Sequence, residues 1–458
     1  MNLRRCGLLA LFLFTVITIL YFLHLNNIIT VSETVLSGFR WIFIVSILLY
    51  AVLKRSLTTW ILVSMVVGVE IGLDFPAFSQ NLRVLSQIFL RLVKTIIAPI
   101  LFATLVVGIA GHSSLKQVGR MGWKSILYFE VVTTIALGIG LIAINVSGAG
   151  KGILLPAGFK EAMPVVAPQG WQDVVLHIFP ENFIKAIYHG DVLPIVVFSI
   201  IFGIALAMIK EEKRRPMLVF AESLAETMFK FTNIIMYFAP FGVGAAIAVT
   251  VGHLGLDVLG NLLKLLITLY VSLIIFLLIV LLPIALLIKI PVRKFISAIS
   301  EPVSIAFATT SSESALPKAI ENMEKFGVPQ KIVSFVLPTG YTFNLDGTTL
   351  YLSLAAVFVA QAAGIHLSAG QQIFMGLTLM LTSKGVAGVP RASLVILLGT
   401  AASFGLPIWP IMAILGIDEL MDMARTSVNV IGNTMASCVI ARWEGEFDDE
   451  KARNFQPD

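Results

Sequence analysis

Apolar stretches of about 16 to 25 residues follow one another through most of the chain, and this recurrence constrains the fold more than any other feature. About 20 such residues in an α-helix cross a bilayer with every backbone polar group satisfied internally. The stretches lie near 7–26, 38–53, 57–75, 85–110, 121–147, 191–209, 217–252 and 257–291. Several are longer than a crossing needs, which predicts strongly tilted helices. Charged residues make up 13% of the 458, against about a quarter in a soluble domain. The expectation is an all-α polytopic membrane protein, embedded in and partnered by the lipid bilayer.

The net charge of +5 does not point to nucleic acid, because the basic residues fall in short loops. Arg4 and Arg5, Lys54 and Arg55, Lys210 with Lys213 to Arg215, and Lys289 with Arg293 and Lys294 mark cytoplasmic loops, and both termini are expected on that side. Gly7 to Leu25 follows a basic start like a signal peptide. A small-x-small cleavage site does not follow it, so a retained helix is expected. Cys6 and Cys438 stand alone and read as structural thiols, and the histidines are scattered without metal spacing. The stretch 148–190, rich in Gly, Pro and charge, reads as an exposed insertion.

The C-terminal third has a different grammar. Near 296–320 and 367–405, apolar sequence is broken by Thr309-Thr310-Ser311-Ser312-Glu313-Ser314 and by Ser383-Lys384-Gly385-Val386-Ala387-Gly388-Val389-Pro390. Broken backbone at membrane depth survives only when buried in protein or facing a wet cavity, so each segment reads as a re-entrant hairpin. A helix is expected after each, near 328–363 and 408–442, the former interrupted at Gly340 and at Asn344-Leu345-Asp346-Gly347-Thr348. A hairpin-helix unit used twice, with interrupted segments, points to a site at the membrane midplane.

Asp418, Asp422, Arg425, Thr426, Asn429 and Asn433 recur at helical spacing and fall within an arc of roughly 100° on one face of the last apolar segment. Three ionisable groups on one face within a membrane demand pairing or water. An Asp–Arg network joining helices is one reading of the stripe; a binding site is the other. Arg425 offers a planar fork suited to a carboxylate, and Asp422 suits an ammonium group. A ligand that satisfies both is an acidic amino acid. Backbone N–H groups at the hairpin tips suit its second carboxylate.

These motifs resemble the dicarboxylate/amino acid:cation symporter family, which includes the glutamate transporters. The resemblance covers roughly 54–445 and rests on Ser311-Ser312-Glu313-Ser314-Ala315-Leu316-Pro317, Asn344-Leu345-Asp346-Gly347-Thr348, Gly385-Val386-Ala387-Gly388-Val389-Pro390 and Asp422-Met423-Ala424-Arg425-Thr426-Ser427-Val428-Asn429. The bacterial proton/sodium-glutamate symport branch shares the Ser-Ser-Glu and Asn-Leu-Asp-Gly-Thr variants and an ending like Trp443-Glu444-Gly445. The resemblance implies about eight spans plus two re-entrant hairpins, so that the two apolar segments before residue 54 are extra. It also implies a homotrimer with elevator-like movement. Substrate contacts are implied at Ser311, Ser312, Thr348, Gly388, Val389, Asp422, Arg425, Thr426 and Asn429. Some members that carry C4-dicarboxylates lack an acid at the position of Asp422, so its presence favours glutamate or aspartate.

No cofactor is implied beyond the coupling ions, H+ and/or Na+. In sodium-coupled members the corresponding cation positions are Gly340, Thr342, Asn344, Asp346, Ser383, Asn429 and Asn433, with Gly340, Asn344 and Asn429 as a candidate sodium set. The chain departs from that pattern. Asn433 stands where those members carry Asp, Leu345 replaces Met, and Lys384 enters a stretch that lines a sodium position. A lost carboxylate and an added ammonium both weaken cation binding, so proton coupling is favoured. Glu130 and Glu313 are the candidate proton carriers. The alternative for Glu130 is a pairing with Lys124, six residues earlier; for Glu313 it is a water-facing tip. Arg391 is expected at a solvent-facing tip.

The expected division is 1–53 as extra N-terminal segments, 54–291 as scaffold, 292–445 as the binding and transport core, and 446–458 as a cytoplasmic tail. The function expected is symport of an acidic amino acid across a bacterial inner membrane, with C4-dicarboxylate symport as the alternative. An intramembrane hydrolase on Ser311 or Ser312 lacks a partnered base, and an ion channel would need the hairpins to line a continuous pore, so the chain is not expected to be an enzyme.

Overall fold

The computed structural model describes residues 3–26, 28–110, 115–153, 179, 181–189, 192–384 and 392–456, and those residues hold helices and no strand. The helices α1 (Leu3–Leu25) and α2 (Glu33–Lys54) pack as a pair, and α2 also packs on α3 (Leu57–Asp74). A short α4 (Pro76–Asn81) leads into α5 (Arg83–Ala110) and α6 (Leu115–Ser147). Beyond them come α7 (Phe183–His189), α8 (Val192–Met208), α9 (Glu211–Met236), α10 (Ala239–Leu254) and α11 (Asp257–Phe276). The last of these continues through a π-turn at Leu277–Leu281 into α12 (Leu282–Leu287).

The C-terminal third forms two hairpin-helix units. First come α13 (Val292–Thr309) and α14 (Ser312–Lys325), then the broken helix α15 (Gln330–Phe343) and α16 (Asp346–Ala362). The second unit has α17 (Ala369–Ser383) and α18 (Ala392–Ser403), then α19 (Trp409–Leu415) and α20 (Asp418–Glu444), with α21 (Asp449–Asn454) closing the chain. Both hairpins fold back on themselves as the Ser/Thr/Gly clusters predict. At the first tip Thr310 adopts a left-handed φ of 52° and Ser311 caps α14, its Oγ accepting the Ser314 N–H at 3.3 Å. The second tip, with Val386, Gly388, Val389 and Arg391, lies outside the described residues, as does most of the insertion.

Two expected single helices are in fact pairs. The apolar run at 217–252 divides into α9 and α10, which bend by 51° at Tyr237–Phe238, immediately before Pro240. Proline lacks the N–H that would continue the ladder, and the run reads as unbroken only if hydropathy alone is counted. The segment at 408–442 likewise divides at Gly416–Ile417, so Asp418 opens α20 rather than lying within a longer helix.

Six described helices are long and apolar enough to cross a membrane, and the bent pair makes a seventh. This is a multi-pass membrane protein. An 18-residue stretch within the span Gln330–Ala362 is 94% buried and forms the heart of the fold, whereas the corresponding stretch of α1 is 11% buried and faces outward. The N-terminal pair is held by polar contacts at the end of α3. Arg40 binds Glu70 at 2.7 Å and Asp74 at 3.0 Å, and Trp41 Nε1 donates to Asp74 at 2.8 Å.

Small residues bring helix axes together where apolar burial alone gives no preference in lipid. A Cβ at Gly72 would lie 2.8 Å from Ala248 O, so α3 and α10 meet nearly backbone to backbone. Gly140 does the same for α6, where a Cβ would reach 2.5 Å from Leu350 O on α16. Although α6 precedes residue 292, it packs along α16 and also touches α15, α17 and α20. The tail docks under the first hairpin, with Asp448 N donating to Gly327 O at 2.9 Å and Lys294 Nζ to Phe455 O at 2.9 Å.

Candidate functional site

The polar stripe on α20 is entirely buried, and its members bond mainly to one another and to the broken helix. Arg425 is 1% exposed. Its Nε donates to Asp422 Oδ1 at 2.9 Å and its Nη1 to Asp418 Oδ1 at 3.0 Å. The guanidinium lies 4.2 Å from the centre of the Tyr351 ring, and the Tyr351 hydroxyl donates to Asp418 Oδ1 at 3.2 Å. Thr426 Oγ1 donates to Asp422 at 3.0 Å. The charges form an internal network, as the first reading of the stripe has it, and that network contains the groups suited to a zwitterionic ligand.

One turn further along, Asn429 reaches α16. Its Oδ1 accepts the backbone N–H groups of Gly347 and Thr348 at 2.8 and 3.3 Å, and its Nδ2 donates to Thr348 Oγ1 at 2.9 Å. It thus caps a helix that begins in mid-membrane, supplying the acceptor its first amides need. A Cβ at Gly347 would collide with the Arg425 carbonyl, so glycine is required for this approach.

Beneath lies the break between α15 and α16. Asn344, Asp346 and Asn433 are fully buried. Asn344 Nδ2 donates to Asp346 Oδ2 at 3.3 Å and to Asn433 Oδ1 at 3.2 Å. Asn433 Oδ1 lies against Gly340, where a Cβ would displace it. Asn344 Oδ1, Asp346 Oδ1, Asn433 Nδ2 and the Tyr128 and Tyr341 hydroxyls have no hydrogen-bond partner among the described residues. Buried polar atoms left unpaired are costly, and here two oxygen acceptors, one of them a carboxylate, are left so on residues two apart in the helix break. They are a donor set that fits a cation or, at Asp346, a proton.

The other predicted residues divide. Ser311 and Ser312 sit at the N-terminus of α14, and Thr342 is half-buried in the last turn of α15. Ser383 is buried but donates to Met380 O at 2.8 Å within its own helix. Glu313 is exposed in the first turn of α14. Glu130 is not the partner of Lys124, which instead binds Glu444 and the Trp443 carbonyl, each at 2.7 Å. Its partner is Lys384 at 2.8 Å, a contact between α6 and the end of α17. Tyr351 was not among the predicted site residues. Its spacing of three from Thr348 places both on one face of α16, which is the signal that marks it.

The model of the sodium:dicarboxylate symporter family matches residues 57–443. Among curated proteins, the chain is 42% identical over 412 residues to a proton/sodium-glutamate symport protein of Bacillus caldotenax, covering 88% of this chain and 98% of the relative. It is 42% identical over 421 residues to the proton/glutamate-aspartate symporter of Escherichia coli K12, covering 88% and 96%. A C4-dicarboxylate transport protein of Bacillus subtilis is 39% identical over 406 residues, covering 87% and 96%.

Proposed function

The chain belongs to the sodium:dicarboxylate symporter family, and from that membership we propose that it is a secondary active symporter that takes up glutamate and/or aspartate with protons and/or sodium. The observation that carries the choice of substrate is the buried Asp422–Arg425 pair at 2.9 Å. A carboxylate that recruits the guanidinium away from Asp422 leaves that buried carboxylate with the Thr426 hydroxyl but without its counter-charge, at a cost of up to about 3 to 5 kcal/mol. A ligand that also brings an ammonium group re-pairs Asp422 as it takes Arg425. A C4-dicarboxylate has no such group, which weighs against the relatives of that name as guides to substrate. Asp418 keeps part of the guanidinium fork throughout, so binding is an exchange of partners rather than the filling of a bare charge.

Ser311, Ser312, Thr348, Thr426 and Asn429 complete the substrate contacts in this reading, with Gly388 and Val389 of the second tip. Asn344 and Asp346, with Gly340, Asn429 and Asn433 around them, hold the coupling cation or proton, whose chemical contribution is to neutralise a buried carboxylate. Glu130 and Glu313 are further candidate proton carriers. The core of residues 292–445 moves as an elevator, within a homotrimer, against a scaffold drawn from residues 54–291. Both termini face the cytoplasm of a bacterial inner membrane.

Purified protein in liposomes tests this reading through uptake of labelled glutamate, aspartate and succinate under imposed sodium or proton gradients. The acidic amino acids are expected to lead. Succinate uptake above both would refute the substrate assignment.

A further inference from the structure

Lys384 is the C-cap residue just after α17, and its side chain turns inward and is 7% exposed. The ammonium meets two oxygens from different parts of the molecule. It donates to the carbonyl of Phe343, the last residue of α15, at 2.6 Å, and it pairs with Glu130 of α6 at 2.8 Å. Asp346 lies within its electrostatic range. The group therefore stands at the carboxyl ends of two helices, where unsatisfied carbonyls and aligned peptide dipoles concentrate negative potential. The carboxyl ends of half-helices in mid-membrane are where transporters hold small cations. Here that position already contains a positive charge, covalently attached and already bonded to a carbonyl oxygen and a carboxylate.

We propose that Lys384 is a built-in cation that replaces a metal ion at the junction of α6, the broken helix and the second hairpin, and so sets the ion selectivity of the carrier. The residues present do not fit sodium at Phe343 O. A metal there would lie beside an ammonium and would lose the Glu130 carboxylate to it. The attached charge fastens the end of α17 to α15 and α6 without drawing on an external ion. Lys384 acts as a positioning and selectivity residue and need not touch the substrate. The inference rests on the symporter reading for its meaning in transport, but the occupancy of the position does not.

The test uses the full-length protein in nanodiscs without substrate, comparing thermal unfolding in sodium chloride and choline chloride at equal ionic strength. In Lys384→Met the carbonyl and the Glu130 carboxylate become available to sodium. The half-effective sodium concentration for stabilisation is expected to fall by about tenfold or more, equivalent to about 1.4 kcal/mol. Lys384→Arg keeps the charge and is expected to retain the wild-type response. Equal responses in Lys384→Met and wild type, or a fall of the same size in Lys384→Arg, would overturn the proposal. Should Lys384→Met not purify folded, Lys384→Gln decides instead: it removes the charge but keeps a polar side chain, and the sodium response must strengthen. A weaker or unchanged response there would also overturn the proposal. Calorimetric titration of glutamate and aspartate into the wild-type protein separates the two readings. Absence of binding defeats the proposed substrate and leaves the sodium comparison standing.

Discussion

Replacing Asp422 by Asn tests the substrate assignment at one buried atom. In the wild type, Asp422 Oδ1 accepts from Arg425 Nε at 2.9 Å and from Thr426 Oγ1 at 3.0 Å. Asparagine is the same size and retains an acceptor oxygen for both. Arg425 also keeps Asp418 at 3.0 Å and the Tyr351 ring, so the fold is expected to survive. What is lost is the negative charge that pairs with a ligand ammonium. In a desolvated site, removing one partner of such a pair costs about 3 to 5 kcal/mol, or roughly two to three and a half decades in affinity. A dicarboxylate without an amine has nothing to lose, and the substitution also removes the carboxylate whose counter-charge it would have displaced. The variant is therefore expected to bind glutamate and aspartate about a hundredfold or more weakly, with succinate unchanged or tighter. Calorimetry in nanodiscs, with thermal unfolding as the control for folding, measures all three. A folded variant whose glutamate affinity stays within about threefold of wild type would refute the reasoning, since the charge would then not face the ligand.

Arg425→Lys keeps one positive charge but loses the fork and the stacked plane over Tyr351. It is expected to abolish acidic amino acid binding and to lower the unfolding temperature, because a single ammonium cannot bridge both Asp418 and Asp422 in the same geometry. Gly140→Val places a branched side chain on the Leu350 carbonyl, so α6 must move from α16. A loss of about 1 to 3 kcal/mol in stability is expected, read by thermal or denaturant unfolding. The tail gives a pH prediction. Arg442 donates to Asp449 at 2.8 Å and holds that carboxyl below its ordinary value. A depressed carboxyl stabilises at pH above its unfolded value of about 4, and that contribution fades as the pH falls through the lowered folded value. The pair is solvent-screened, so the effect is below about 1 kcal/mol. Protection factors of the Asp449–Asn454 amides, relative to intrinsic exchange at each pH, are expected to fall in acid, and Asp449→Asn to show the lowered protection already at neutral pH.

The sequence reveals features that depend on local chemistry. The hairpin turn within Thr309 to Ser314, the break at Asn344 to Asp346 and the shared face from Asp418 to Asn433 all follow from residue type and helical spacing. Spacing shows that Asp418, Asp422 and Arg425 share a face, yet it does not say that they bond to one another rather than to a ligand. The partner of Glu130 is less accessible still. Lys124 is near in sequence, but Glu444 and the Trp443 carbonyl hold it, and the end of a hairpin more than 250 residues later supplies Lys384. Such a pairing is fixed by how the hairpin packs on α6. The bend before Pro240 was legible from the proline, but the continuity of hydropathy across 217–252 hides it.

The bonding of Arg425 to Asp418 and Asp422 has a consequence for the half of a transport cycle in which nothing is carried. A symporter must bring its unloaded form back across the membrane, and a bare guanidinium would oppose that passage through a low-dielectric gap. In the proposed cycle the arginine would make that return with its charge compensated by its own carboxylates. A ligand that captured Arg425 without bringing a cation to Asp422 would leave that carboxylate without a counter-charge and raise the barrier to movement. In the proposed cycle, the network that holds the empty carrier together would thus also penalise the travel of an incompletely loaded one.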